Sequence, residues 1–297
     1  MKILITGSNG MLGKALSRQL LNKHEIIGLD NGKTQDLGAK ARKFIHCDIT
    51  DREKTISEIV SNRPDVIIHA AAYADVDGCE RNAGLAQKVN AQGTENVALA
   101  AKDCGSFLCY ISTDFVFDGN KDKGYAEEDK PNPINIYGRS KLEGEKRVQS
   151  ELEKFAIIRS SWLFGPGGKN FVDTFLQKAQ GKKKIEVVDD QFGSPTYTKD
   201  LALGIDKLMV LGDSSKGIYH ITNSGTCSWF EFAVTIKAMA ALDVEVLPVS
   251  SEQYDSPTKR PKMSVLENKR FCKSTGITLR HWKEALKEHL DERENFS

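Results

Sequence analysis

Two side chains in "YGRSKLEGE", Tyr137 and Lys141, stand four residues apart. In a helix that spacing puts both on one face. A lysine cation beside a phenol favours the phenolate and lowers its pKa, so such a pair can manage a proton at a carbonyl oxygen. The same spacing also fits two ordinary side chains on a solvated helix. Upstream, "STDFVFDG" (Ser112 to Gly119) follows a strand-like run that ends in hydroxyl residues. The carboxyl edge of a parallel sheet is where ligands bind, which would bring Thr113 together with Tyr137 and Lys141 on one carbonyl oxygen.

A second constellation opens the chain. "TGSNGMLG" carries Gly7, Gly10 and Gly13 between a strand-like run and an amphipathic helical one. Gly7 suits a tight turn, Gly10 a close backbone approach to a pyrophosphate, and Gly13 close helix–sheet packing, with the helix N-terminus facing the phosphates. The spacing is GxxGxxG rather than the GxGxxG of typical dehydrogenases. Asp30 ends the second strand, 20 residues after Gly10. A carboxylate there accepts from ribose hydroxyls and repels a 2′-phosphate, which favours NADH over NADPH. Lys33 lies close enough in sequence to relieve that repulsion, so both cofactors stay open. Asp48 in "CDIT" is placed either to meet an adenine or to cap a helix. Ala70, Ala71 and Ala72 in "HAAAYADVDGCE" leave room for a flat dinucleotide, or serve helix–sheet packing.

The elements that must hold these residues follow from hydrophobic period. "KILIT", "EIIGLD", "KFIHCD", "DVIIHAAA", "FLCYIST" and "FAIIRSSWLF" read as strands. Helical patterns separate them, among them a long helix from about Cys79 to Asp103 and one through Tyr137; Asp51 is placed to cap the helix after it. Near-continuous apolar strands alternating with helices indicate a parallel sheet covered on both faces. After "FGPGGKN" the pattern turns mixed, with helices near 171–180, 228–241 and 279–291 and short strands between. The expected fold class is α/β: a Rossmann-type doubly wound parallel sheet with a smaller mixed α/β C-terminal substrate domain. The expected boundaries are 1–164 for the NAD(P)-binding part, joined by part of 193–226, and 165–297 for most of the substrate-binding part.

The 297 residues carry a formal net charge of +1 with dispersed Lys and Arg, which gives no electrostatic reason to expect nucleic acid or an anionic membrane as partner. No apolar run approaches the ~20 residues of a membrane span, and the N-terminus enters the glycine loop too early for a signal peptide. The six cysteines form no CxxC or zinc spacing, and the six histidines are scattered. Reduced thiols, a cytoplasmic location and no metal site are expected.

In order, the glycine loop, Asp30, the small-residue strand end, the hydroxyl strand end and YxxxK resemble the extended short-chain dehydrogenase/reductase family, and within it the branch that reduces 4-keto nucleotide sugars. "RSSWLFG", "DDQFGSPTYTKDLA" and "RPKMSVLENKR" carry the resemblance to residue 270. It implies NADPH- or NADH-dependent reduction of the C4 keto group of dTDP-4-dehydro-L-rhamnose and a nucleotide-sugar partner, with a homodimer as one option for an oligomeric state the residues leave open. Gly10, Met11 and Leu12 would line the pyrophosphate, Asp30 the ribose, Asp48 and Ile49 the adenine, and Ala70 to Ala72 the dinucleotide. Thr113, with Asp114 beside it, would hold the keto oxygen, Tyr137 give the proton, and Lys141 orient the nicotinamide ribose. Trp162 and Asn170 would meet the substrate, and Arg260 the diphosphate, unless Arg260 is a structural salt bridge. Met11 stands where a glutamine is common, and Ala74 and Gly78 vary the alanine motif. Ala15 stands where some members carry an acidic residue that bridges a dimer through a metal, so no such bridge is expected here. Dehydratases of the family resemble "TDE", whereas this chain reads Thr113, Asp114, Phe115, which favours reduction. Another nucleotide-sugar epimerase or reductase of the same fold, or a non-catalytic NAD(P)-binding regulatory subunit, is the alternative.

Overall fold

The computed structural model describes residues 1–32, 43–254 and 256–294; Lys33 lies outside the described residues. Its centre is a seven-stranded sheet, all parallel. The strands are β1 (Lys2–Thr6), β2 (Glu25–Asp30), β3 (Lys43–His46), β4 (Val66–His69), β5 (Phe107–Thr113), β6 (Phe155–Ser160) and, much later in the chain, Gly217–His220. The spatial order is Gly217–His220, β6, β5, β4, β1, β2, β3. The chain winds outward from β1 in both directions, so the crevice between the carboxyl ends of β1 and β4 is the switch point of a doubly wound sheet.

Successive strand residues face opposite sides. Ile3, Ile5, Ile26, Ile68 and Ile158 join one core with Leu12, Leu16 and Leu20. Leu4, Ile27, Ile67, Leu108 and Ile157 join the other with Ile59, Val97 and Val148. Both faces are covered, which is why these strands read as unbroken apolar runs. The helices are α1 (Met11–Leu20), α2 (Arg52–Asn62), α3 (Val76–Arg81), α4 (Ala83–Gln87), α5 (Thr94–Cys104), α6 (Ile136–Glu151), α7 (Phe171–Ala179), α8 (Thr198–Met209), α9 (Trp229–Met239), α10 (Lys269–Thr275) and α11 (Trp282–Glu294). As expected, Asp51 caps α2, accepting from the Lys54 N–H at 3.1 Å.

Two expectations are corrected. The long helix from Cys79 is broken. Asn82, at φ −137°, leaves helical geometry and caps α4 through the Leu85 N–H, and Lys88–Gly93 forms a π-helical turn before α5. "FAIIRSSWLF" is two strands, β6 and β7 (Leu163–Phe164), because Trp162 turns the chain at φ 48°. The remaining strands are β8 (Lys184–Val188), β9 (Phe192–Gly193), β10 (Thr196–Tyr197), β11 (Gly217–His220), β12 (Cys227–Ser228) and β13 (Glu245–Val249). A further core of Phe164, Val172, Phe175, Phe232, Ile236, Trp282 and Leu286 gathers α7, α9 and α11. No helix among the described residues is long and apolar enough to cross a membrane.

Candidate active site

The glycine loop follows directly from β1. Gly7 sits at φ +67°, and a Cβ there would lie 2.7 Å from the Ala71 nitrogen; a Cβ on Gly13 would lie 2.2 Å from the Gly7 carbonyl oxygen. Any side chain would therefore push the loop off β4 or α1 off the loop. Gly10 is the N-cap of α1, and no side chain caps that helix or puts an acid in its first turn. Its first N–H groups are open to an anion. The Leu12 side chain is in the core and the Met11 side chain lies against Gly168 and Asn170, so Met11, Leu12 and Gly13 face an anion only through backbone.

A cleft of about 570 Å³ runs across the carboxyl ends of β1 to β4, lined by Gly7, Gly10, Asp30, Asp48, Ile49, Ala70, Ala71 and Ala72 among others. The Asp30 carboxylate accepts from the Asn9 N–H at 3.0 Å and the Gly32 N–H at 2.9 Å. It is thus oriented by the loop it helps to hold. Asp48 accepts from the Thr50 N–H at 2.9 Å and shapes a turn rather than capping a helix. Asn9, Tyr73, Leu85, Lys88 and Val89 also line the cleft; the sequence did not single them out. The uncapped helix, the sterically required glycines and an oriented carboxylate fit a dinucleotide.

Beyond the cleft stands the hydroxyl cluster. Thr113, 5 % exposed, ends β5 in register with Ser160. Asn135 caps α6 through the Gly138 N–H at 2.8 Å and donates to the Lys259 carbonyl at 3.0 Å. Helix α6 lies hard against the turn after Thr113: a Cβ on Gly138 would come 2.0 Å from the Phe115 carbonyl oxygen. This brings the half-buried Tyr137 to Thr113. Burial raises the phenol pKa above its usual value; the Thr113 hydroxyl bond opposes this and Asp114 adds to it. Tyr137 is therefore held as a protonated donor. The expected depression by Lys141 is not what the structure gives. The Lys141 ammonium donates to the Ile111 carbonyl at 2.7 Å and lies 4.2 Å from the Tyr110 ring centroid. Burial drives its pKa down to about 7, against the charge of Glu145.

Asp114 accepts from the Thr113 hydroxyl at 3.0 Å, and burial raises its carboxyl pKa to about 7 against hydrogen bonds that include those from Ser264 and Thr113. Phe115 packs edge-on to Tyr137, ring centroids 5.9 Å apart, so an apolar ring occupies the position after Asp114. One helical turn past Lys141, Glu145 takes a two-pronged bond from Arg159 at 2.9 and 2.7 Å and a bond from Ser112 at 2.5 Å. The pair is 1–2 % exposed and clamps α6 to β5 and β6.

The three remaining candidates differ in how free they are. Trp162 follows β6 and is half-buried, its ring stacked on Trp229. Asn170 caps α7 through the Asp173 N–H at 3.0 Å and spends its amide on the Gly165 and Gly168 carbonyls and on Asp173, so its side chain is a loop fastener. Arg260 pairs with Asp77 at 2.9 Å and also contacts Ser256 and the Thr258 carbonyl: the salt-bridge alternative is the one present. Asn90 was missed by sequence reasoning. Fully buried in the π-helical turn, it exchanges hydrogen bonds with both backbone groups of Tyr73 at 2.8 and 3.0 Å and donates to Ser140 at 3.0 Å. It ties the cleft wall to the helix of Tyr137. Its only sequence signal is a polar residue inside an apolar helical pattern.

Comparison with known proteins matches the family of the RmlD substrate binding domain over residues 1–295. The spore coat polysaccharide biosynthesis protein SpsK of Bacillus subtilis (strain 168) is 40 % identical over 293 residues, 98 % of each chain. A dTDP-4-dehydrorhamnose reductase of Aggregatibacter actinomycetemcomitans is 38 % identical over 298 residues, 96 % of this chain and 97 % of that one. A crystal structure of dTDP-4-dehydrorhamnose reductase from Bacillus anthracis str. Ames in complex with NADP superposes with a TM-score of 0.89 at 40 % identity, covering 98 % of this chain and all of that one.

Proposed function

The chain belongs to the RmlD substrate binding domain family, and on that premise we propose that it is an NAD(P)H-dependent oxidoreductase that reduces the C4 keto group of dTDP-4-dehydro-L-rhamnose to dTDP-L-rhamnose. The observation that carries this reading is the Thr113–Tyr137 hydroxyl pair at the carboxyl end of β5, beside a cleft shaped for a dinucleotide. Full-length relatives named as dTDP-4-dehydrorhamnose reductases supply the substrate.

When bound, the reduced nicotinamide supplies hydride to the sugar carbon. The protein's part is to hold and to protonate. The first turn of α1 receives the pyrophosphate, Asp30 the adenosine ribose, and Ala70 to Ala72 leave space for the dinucleotide along β4. Asp48 and Ile49 border the adenine end. Thr113 holds the keto oxygen, and Tyr137, kept protonated by burial, gives its proton to that oxygen as charge develops there. Lys141 stands one helical turn behind Tyr137 to meet the nicotinamide ribose. Phe115 supports reduction over dehydration, since no carboxylate follows Asp114 to move a carbon-bound proton. Trp162 faces the sugar nucleotide. Residues 1–164 with part of 193–226 form the cofactor half, and most of 165–297 the substrate half. The relative crystallised with NADP supports use of the phosphorylated cofactor despite Asp30.

The test supplies dTDP-, GDP- and UDP-linked 4-keto-6-deoxy sugars with each reduced cofactor and follows nicotinamide oxidation. Deuterium on the transferable cofactor position should appear at sugar C4 of the dTDP substrate. No oxidation with any of the sugars, or label elsewhere, overturns the assignment.

A further inference from the structure

Trp162 is held in a backbone conformation that bulky residues avoid, φ 48°. Such a geometry costs on the order of 1–3 kcal/mol and persists only where its surroundings fix it. Three features do so. The Trp162 carbonyl accepts from the Thr196 N–H at 3.2 Å, where β7 and β10 pair. A Cβ on Gly193 would lie 2.4–2.7 Å from Cε2, Nε1 and Cζ2 of the indole, so only glycine leaves room for the ring. The indole also stacks on Trp229, centroids 3.4 Å apart and planes 5° from parallel.

Trp229 is itself firmly set. It is the first residue of α9, whose N-cap Ser228 and Glu231 form a reciprocal capping box. Ser228 donates to Asp189 at 2.7 Å. Ser228 and Cys227 pair with Phe192 and Gly193, so one small ladder anchors both neighbours of the Trp162 ring. Phe171 braces Trp229 at 4.6 Å. Two residues before Trp162, Ser160 pairs with Thr113, so the chain enters the stack from the strand end that neighbours the hydroxyl cluster.

We propose that Trp229 is a positioning residue for the nucleotide sugar: by stacking on Trp162 it fixes the orientation of that indole toward the substrate. This rests on the reading of Trp162 as a substrate contact. On this proposal Trp229 acts through Trp162 alone, so its loss acts on substrate affinity and leaves the chemical step.

The protein has three tryptophans, which makes the stack visible by circular dichroism. Two parallel indoles in contact give a coupled pair of bands, and Trp229→Phe and Trp162→Phe should each abolish the same couplet. Trp229→Ala should raise KM for the nucleotide sugar about three- to tenfold, the worth of an aromatic stack. kcat should stay within about twofold and cofactor affinity should be unchanged. Trp229→Phe, which keeps a ring, should recover part of the KM. A wild-type spectrum without the couplet overturns the proposal. So does an unchanged KM in Trp229→Ala, and if Trp162→Phe raises KM in that case, the reading of Trp162 stands while Trp229 is excluded. An unchanged KM in Trp162→Phe removes the substrate contact itself, and the proposal with it. Unfolding of Trp229→Ala is controlled by Trp229→Phe, whose lost couplet must still come with a measurable rise in KM.

Discussion

Replacing Lys141 by methionine should abolish turnover and at the same time make the fold more stable. Lys141 is 2 % exposed, and burial brings its pKa from 10.5 to about 7. At ~1.4 kcal/mol per pKa unit, that drop puts on the order of 5 kcal/mol against the folded state when the amine is charged. Methionine has similar length and no charge. It gives up the bond to the Ile111 carbonyl, leaves that oxygen short of a partner, and loses the cation's contact with the Tyr110 ring, together about 2–4 kcal/mol. The balance is a gain of about 1–3 kcal/mol near pH 6. The sign is testable through pH. Between about 7 and 10.5 the unfolded chain keeps the lysine proton and the folded chain does not. Wild-type stability therefore rises with pH through that window. The methionine variant lacks this rise, so its advantage should shrink by about 2 kcal/mol between pH 7 and 9. Urea unfolding of both proteins in parallel, across that range, measures the difference with other titrations cancelled. A variant less stable than wild type near pH 6, or a difference that does not move with pH, refutes the account of Lys141 as a buried cation held at a cost in stability.

Tyr137→Phe keeps the ring against Phe115 and removes only the hydroxyl, so fold and binding of reduced nicotinamide should survive while kcat falls roughly 10²–10⁴-fold; near wild-type turnover would return Tyr137 to a packing role. Tyr137→Phe combined with Lys141→Met should be little slower than the poorer single variant, as for residues acting as one unit, and multiplied losses in single-turnover rates would separate them. Asp30→Asn should raise kcat/KM for NADPH relative to NADH, and a constant ratio would move Asp30 away from the ribose. Glu145→Leu alone should cost ~3–5 kcal/mol by stranding the buried Arg159, and adding Arg159→Met should recover most of it; equal denaturation midpoints for the single and double variants would dismiss the clamp.

The parallel sheet was legible because burial on both faces leaves only one reading for runs such as "DVIIHAAA" and "FLCYIST" between helical patterns. The Gly7–Gly13 loop was legible because its glycines answer local backbone demands that sequence spacing exposes. Breaks inside continuous patterns were not. Asn82 and the turn around Asn90 interrupt a segment whose apolar period is good for one long helix: Asn82 turns to cap the helix that follows it, and Asn90 exchanges bonds with Tyr73, 17 residues away. Likewise Trp162 bends an apolar strand because Trp229 and Gly193 meet it from later in the chain.

The site divides along the same line. Residue type and spacing pointed to Tyr137, Lys141, Thr113 and Asp30, but the protonation logic is set by burial, which spacing does not contain. The i, i+4 relation suggested a cation lowering a phenol pKa. In the fold the helix face carrying the pair is pressed on β5, both groups lose solvent, and each is driven toward its neutral form, phenol upward and amine downward. Lys141 then turns to the Ile111 carbonyl and leaves Thr113 as the phenol's partner. A neutral phenol beside Thr113 is in the form that can give a proton to a carbonyl oxygen as charge develops there. Charge proximity alone points the phenol pKa downward, and desolvation, the larger effect at this site, reverses that direction.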